Sequence, residues 1–293
     1  MFFSKYEFNF LIMKQMNQTV ISKGMIVNSL SKGLSILNLF SKTHSNLSVT
    51  QISRMLNINK TTAYRLVTTL KSMDFLIQDE KTKLYRLGPR VIQIGFEAVE
   101  SLELRQLAFH HMENIAVATE ETVELGILEG SDLVVIERIP SPKYLPTYLR
   151  VGTRLPVHCT SMGKAILAFM EEKEKEKLLN GIKLEPWTKY SICNKDELKK
   201  NLARIRKVGY AINDGELTEG VFAIGAPIFS YKNVVGAISV SFPGVRYTAS
   251  DINKKILPIL RQETEMISQK LGLIEKYILF KDLEEGSYKT LLR

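Results

Sequence analysis

Three groups of residues carry side chains whose type and spacing could do chemistry. The first is Lys60-Thr61-Thr62-Ala63-Tyr64-Arg65, which sets a lysine, two small hydroxyls and an arginine within two helical turns. An arginine can pair with guanine O6 and N7, and threonines can touch a phosphate or a thymine methyl, so this is chemistry suited to reading duplex DNA. The second is Thr160-Ser161-Met162-Gly163 ahead of a helical pattern, together with the alternating Ser239 and Ser241. Hydroxyls beside a helix start, where free N–H groups favour a carboxylate or phosphate, could hold a small anion. The third is His158-Cys159, read as a thiol nucleophile, and His110-His111, read as a metal pair. Adjacent helical histidines point about 100° apart and cannot chelate one ion together, and a buried structural cysteine is the commoner meaning of such a thiol. No G-x-S-x-G, phosphate loop or dinucleotide fingerprint is present. The expectation is therefore no catalysis, no cofactor and no metal.

The elements that must position the first group follow from periodicity. Leu30, Leu34, Leu37 and Leu39-Phe40 form a helical stripe that ends at the polar Ser41-to-Asn46 stretch. Ser48-Val49-Thr50-Gln51 has the reciprocal capping pattern of a helix start, and that short helix ends near Leu56. After Asn57-Ile58-Asn59, apolar residues at Ala63, Leu66, Val67, Leu70 and Met73 give a third helix one core face. Its other face presents Lys60, Thr61, Thr62, Arg65, Thr68 and Thr69 and no acid. A short helix, a tight turn and such a helix make a helix-turn-helix, whose second helix enters the major groove. Phe75-Leu76-Ile77 and Leu84 to Leu87 read as two strands of a wing, bringing Lys81, Lys83 and Arg86 toward the DNA backbone. Asp79 and Glu80 at its tip argue against a uniformly basic contact.

Further on, Pro89 to about Ser101 reads as a connecting helix and Leu102 to Ala118 as another. Strands are expected at Thr122–Leu128, Leu133–Ile139, Tyr148–Val151, Gly209–Asn213, Val221–Phe229 and Val234–Phe242, with helices near Met162–Met170 and Lys195–Val208. Gly163 is placed at the opening of the first of these helices, with Ser161 as its cap. Hairpins mixed with helices indicate an antiparallel sheet with helical layers, an α+β domain. Ser239 and Ser241 then project from one face of their strand. A last helix from Ser250 is interrupted by Pro258, where a kink is expected.

The whole-chain balance agrees with two functions on one chain. Residues 1–90 hold 13 Lys and Arg against 4 Asp and Glu, whereas residues 91–293 hold 27 of each. A basic head on a neutral body is what a polyanion-binding module and a separate second module would look like. The length of 293 residues suits two domains, and 45 % hydrophobic with 24 % charged residues excludes disorder. No apolar run approaches a membrane span and no secretory leader is evident, so a cytoplasmic location is expected, consistent with two widely spaced cysteines.

At this point the residues resemble the IclR family of bacterial and archaeal transcription regulators, over about Val27 to Gly272. The resemblance rests on the segment Lys60 to Leu66 and on Tyr85-Arg86-Leu87-Gly88. It continues through Val151 to Ala165, Lys207-Val208-Gly209-Tyr210, Gly220 to Pro227 and Ala237 to Ser241. It implies a winged helix-turn-helix joined by a linker helix to a GAF-like antiparallel-sheet domain that binds an effector. The boundaries are 1–26 for a mobile arm, 27–88 for the DNA-binding domain, 89–101 for the linker, 102–272 for the effector domain and 273–293 for a tail. It implies DNA contacts from Ser48, Lys60, Thr61, Thr62, Tyr64, Arg65, Thr69, Lys81, Lys83 and Arg86. Thr160, Ser161, Met162, Gly163, Asn213, Val221, Ala223, Ser239 and Ser241 match the effector pocket. The family often has an acid where Asn213 stands and an arginine where Phe222 stands. Losing an acid removes a charge that would repel an anion, and Phe222 is expected to add apolar surface to the pocket. The implied protein is a regulator, with repression favoured, that binds an operator as a homodimer or dimer of dimers and responds to a small organic or sugar-derived acid. The rival reading is a constitutive architectural DNA-binding protein whose second domain only oligomerises.

Overall fold

Apolar residues at helical spacing build the first part of the computed structural model, which describes residues 26–41, 43–143 and 149–272. The expected mobile arm, apart from Ile26, and the expected tail lie outside the described residues. The chain divides into two units between Ser101 and Leu102.

The N-terminal unit holds helices α1 (Asn28–Leu37), α2 (Val49–Met55) and α3 (Lys60–Ser72), strands β1 (Leu76–Gln78) and β2 (Tyr85–Leu87), and helix α4 (Pro89–Glu100). Ser48 caps α2, its hydroxyl accepting from Gln51 N while Gln51 Oε1 accepts from Ser48 N, the reciprocal box read in the sequence. Asn59 caps α3 through Thr62 N at 2.7 Å. Ile36, Leu47, Ile52, Ala63, Val67, Leu76 and Tyr85 close one small core. The wing strands pair antiparallel, and an isolated bridge from Leu47 to Tyr85 adds a third rung. Asp79, whose charge was unexplained in sequence, builds the tip of the wing: its Oδ1 accepts from Thr82 N at 2.7 Å and Lys81 N at 3.1 Å. Those bonds hold its carboxyl below the usual range.

The C-terminal unit is α5 (Glu103–Thr119), β3 (Thr122–Glu129), β4 (Asp132–Ile139), β5 (Arg154–Pro156), α6 (Ser161–Phe169), α7 (Glu172–Gly181), α8 (Lys195–Val208), β6 (Ala211–Asp214), β7 (Val221–Ser230), β8 (Asn233–Pro243), α9 (Ala249–Asp251) and α10 (Leu257–Lys270). The strands form one antiparallel six-stranded sheet in the order β5-β4-β3-β8-β7-β6. Val123, Leu125, Phe222, Ile224, Val240 and Phe242 face a core shared with α5 and α10. On the opposite side Leu133, Val135 and Ala237 pack with α6 and α8. The fold class is α+β.

Three expectations are corrected. There is no strand at residues 149–151, and Tyr148 lies outside the described residues; Gly152, at φ +84°, turns the chain so that the edge strand is Arg154–Pro156. Helix α7 was not anticipated, because its charged sequence buries only Lys175 and Leu179. The irregularity of the last helix is a π-helical segment, Ile252–Ile256, and Pro258 follows it in the first turn of α10, where a missing N–H is tolerated.

The feature that seats α6 on the sheet is Gly225. A Cβ there would lie 2.7 Å from Ser161 C and 2.8 Å from Ser161 O, so backbone meets backbone. We expect Gly225→Ala to displace the start of α6 and to cost about 1–3 kcal/mol, read as a lower urea midpoint at unchanged slope.

Candidate functional site

In the N-terminal unit the residues expected to touch DNA sit on the solvent side of α3 and on the wing. Lys60, Thr61, Tyr64, Arg65, Thr68 and Thr69 are exposed, with Tyr64 at 58 %, while Ala63 and Val67 fill the core beneath them. Lys81, Lys83 and Arg86 are exposed on the wing. Some of the expected hydroxyls are already engaged. Ser48 Oγ is used in the α2 cap, Thr69 Oγ1 donates to Arg65 O at 3.0 Å, and Thr62 is half-buried. The exposed face of α3 is thus left with Lys60, Thr61, Tyr64 and Arg65 as its prominent polar groups.

In the C-terminal unit a narrow cavity of about 30 Å³ lies on the α6 side of the sheet. Its walls include Thr160, Ser161, Met162, Asn213, Val221, Ala223, Ser239 and Ser241, eight of the nine residues expected there. Gly163 is the exception. Helix α6 starts at Ser161, earlier than expected, and the cap is Thr160 rather than Ser161: Thr160 Oγ1 accepts from Gly163 N at 2.9 Å. Gly163 instead packs on Val157, whose carbonyl oxygen would lie 2.2 Å from an added Cβ.

Two departures from the family pattern acquire a structural meaning. Phe222 does not reach the cavity. It alternates with Val221 and Ala223, so it points to the other face of β7, is fully buried and stacks on Phe242 at 5.3 Å between ring centroids. The Asn213 amide is held at both ends: Nδ2 donates to Cys159 O at 2.6 Å, and Oδ1 accepts from Glu216 N at 2.9 Å. A carboxylate could not donate to Cys159 O, so the amide suits this place. Glu216 is itself ion-paired with the fully buried Lys164 of α6, which ties the cavity wall to that helix.

The residue that sequence reasoning missed is Glu124, in the middle of β3. Ser241 Oγ donates to its Oε2 at 2.9 Å and Ser239 Oγ at 3.3 Å, so the two serines converge on one carboxylate. The register places Glu124 opposite Ser239 on β8 and opposite Arg138 on β4. Alternation with Val123 and Leu125 could have signalled that Glu124 faces away from the main core; the partner strands could not have been read. Leu149, Leu155, Leu217 and Thr218 also line the cavity. Among the described residues, Glu124 is the one ionisable side chain that lines the cavity.

The groups suspected of catalysis lie elsewhere. Cys159 is buried, and burial pushes its thiol up to about 12, which leaves no thiolate nucleophile near neutrality. His158 is held low by its own burial, and its Nε2 lies 3.1 Å from Glu185 O. His111 sits between Glu263, 2.5 Å from its Nδ1, and Lys270, 2.9 Å from its Nε2, an arrangement that braces α5 against α10. Among the described residues no helix is long and apolar enough to cross a membrane.

Burial raises the Glu124 carboxyl above the ordinary range, against the opposing pull of Ser241, Arg138 and Ser239. A carboxyl raised on folding contributes stability that is full at low pH and is lost as pH rises through its folded value. Glu124→Gln removes that loss. The melting temperature of the variant should therefore gain on that of the unmutated protein as pH rises above the ordinary carboxyl range. A difference independent of pH would show that the carboxyl is not shifted.

Comparison with known proteins matches both units. The family model described as bacterial transcriptional regulator IclR C-terminal matches residues 96–269, and the IclR helix-turn-helix domain matches residues 29–80. The HTH-type transcriptional regulator XynR of Escherichia coli is 33 % identical over 217 residues, 74 % of this chain and 86 % of that protein. The HTH-type transcriptional regulator KdgR of Dickeya chrysanthemi is 29 % identical, over 84 % of this chain and 80 % of its own. The crystal structure of the Thermotoga maritima IclR superposes with a TM-score of 0.69 at 32 % identity, over 84 % of this chain and 99 % of that one. An IclR homologue from Microbacterium hydrocarbonoxydans complexed with 4-hydroxybenzoate superposes with a TM-score of 0.72 at 25 % identity, over 83 % and 98 %.

Proposed function

The chain belongs to the IclR family of bacterial transcriptional regulators, and from that premise we propose that it is a repressor that binds its operator through α3 and the wing and is modulated by a small effector in the cavity of the second unit. The observation that carries the DNA half is the exposed, acid-free face of α3 bearing Lys60, Thr61, Tyr64 and Arg65 above a buried Ala63 and Val67. On this reading Arg65 reads a guanine, and Lys60, Lys81, Lys83 and Arg86 meet phosphates. Ser48, Thr62 and Thr69 act chiefly by holding the backbone, with their hydroxyls or N–H groups close to the DNA.

The effector half is supported by a concave site that gathers Thr160, Ser161, Met162, Asn213, Val221, Ala223, Ser239 and Ser241 from four elements. The start of α6 favours an anionic group, and Leu149, Leu155 and Leu217 favour an apolar stem. An effector that binds one conformation of this unit more tightly shifts the population competent to bind DNA, and the coupling is reciprocal. We assign residues 27–88 to DNA binding, 89–101 to the connector and 102–272 to effector binding, in a cytoplasmic protein without catalytic activity.

One helix-turn-helix reads only a few base pairs, so a dimer on two half-sites is part of the proposal. Its support is α4, where Ile92 and Phe96 are 75 % and 63 % exposed on one helical face and no residue of the helix is buried.

The test is a competition titration on the DNA upstream of the gene against excess random duplex at one stated salt concentration. Selective binding is expected, and Arg65→Ala should lose about 1–3 kcal/mol of discrimination while keeping its non-specific affinity. Equal losses on both DNAs would remove Arg65 from base reading. Ile92→Glu combined with Phe96→Glu should convert the dimer to monomer in sedimentation velocity; an unchanged sedimentation coefficient would place the dimer contact elsewhere.

A further inference from the structure

The wing holds a lysine in a backbone conformation that its residue type does not favour. Among the described residues of the N-terminal unit, Asn57, Asp74 and Lys83 have positive φ without being glycine, and Lys83, at φ +59°, is the one whose type is not enriched there. Strain kept at an exposed turn, where packing gives no return for it, is the kind of outlier from which a function is inferred. The Lys83 backbone is also held on both sides. Its N–H donates to Asp79 O at 2.9 Å, and its carbonyl accepts from Gln78 Nε2 at 3.3 Å. The other end of the same amide, Gln78 Oε1, accepts from Lys71 Nζ at 3.1 Å, and Lys71 stands in the last turn of α3. Gln78 closes β1 and is half-buried, so one side chain joins α3 to the returning arm of the wing.

Resting on the DNA-binding reading above, we propose that Gln78 is a positioning residue: it ties the wing to α3 so that the Lys83 ammonium meets a backbone phosphate at a set distance from the groove that α3 reads. A lysine carries its charge on a flexible four-carbon stem, and ordering that stem opposes binding. Holding the backbone at both peptide groups removes part of the cost before the DNA arrives. Only a carboxamide can do both jobs here, because its oxygen accepts from an ammonium while its nitrogen donates to a carbonyl; a glutamate could do the first alone. Gln78 has no charge of its own, so any effect it has on a phosphate contact passes through a lysine that it holds.

The experiment titrates the full chain on a random duplex and on the DNA upstream of the gene, over a series of salt concentrations, for the unmutated protein, Lys83→Gly, Gln78→Met and the double variant. Lys83→Gly should weaken binding to both DNAs by the same factor and flatten the slope of log affinity against log salt by about 0.9 per protomer. Its melting temperature should not fall, because glycine relieves the positive φ. Gln78→Met removes no charge, yet it should flatten the slope by at least about half as much, and it should cost nothing further when added to Lys83→Gly. An unchanged slope in Gln78→Met, or the same loss from Gln78→Met with and without Lys83, would overturn the proposal. Gln78→Ala is read in the same way should Gln78→Met fail to fold. An unchanged slope in Lys83→Gly overturns the proposal as well, while selective operator binding by that variant leaves base reading by α3 standing. Failure of the unmutated protein to bind either DNA brings down the DNA-binding reading itself, and the role of Gln78 with it.

Discussion

The contact on which the C-terminal unit depends is the one without side chains, where Gly225 of β7 meets the backbone of Ser161. Helices normally lie on sheets at a distance set by interleaved side chains. Here the missing Cβ lets the first turn of α6 come down onto the strand, and Gly163, in the same turn, repeats the device against the Val157 carbonyl. That approach brings Thr160, Ser161 and Met162 to the same depth as Ala223, Ser239 and Ser241, and so creates the concavity. The Asn213 bond to Cys159 O and the Lys164–Glu216 pair fix the same helix start from the side. Both run to the one segment Asn213–Glu216, which is itself joined by Asn213 Oδ1 accepting from Glu216 N.

The chemistry of the site is asymmetric as a result. One end is the start of a helix, with partial positive charge and hydroxyls; the other is the buried carboxyl of Glu124, which accepts from two serines. In the N-terminal unit the division of labour is different: Asp79, Ser48 and Asn59 spend their polar groups on turns and caps, which leaves the basic and aromatic side chains of α3 and the wing outward.

Most of this arrangement was legible because it is local. The Ser48 box, the spacing from Ala63 to Met73 and the alternation of Ser239 with Ser241 each encode their geometry within a few residues. What escaped was non-local. Glu124 reads as one acid in an apolar strand, and only the register with Ser239 and Arg138 turns it into a site residue. Phe222 was misjudged for a related reason: a change of residue type at one position says nothing about the side of the strand until the parity of Val221 and Ala223 is applied. Helix α7 was missed because a charged run with few apolar positions gives a weak period, and its two buried residues were too little signal.

Helix α4 buries nothing against the described parts of its own unit. A twelve-residue helix in water lies near the limit of helix–coil stability, since nucleation is costly and each turn gains little without packing. A surface that covered Ile92 and Phe96 would add to its stability. In the dimer proposed above, a second copy would supply that surface, and the stability of the connector would then depend on how much protein the cell contains.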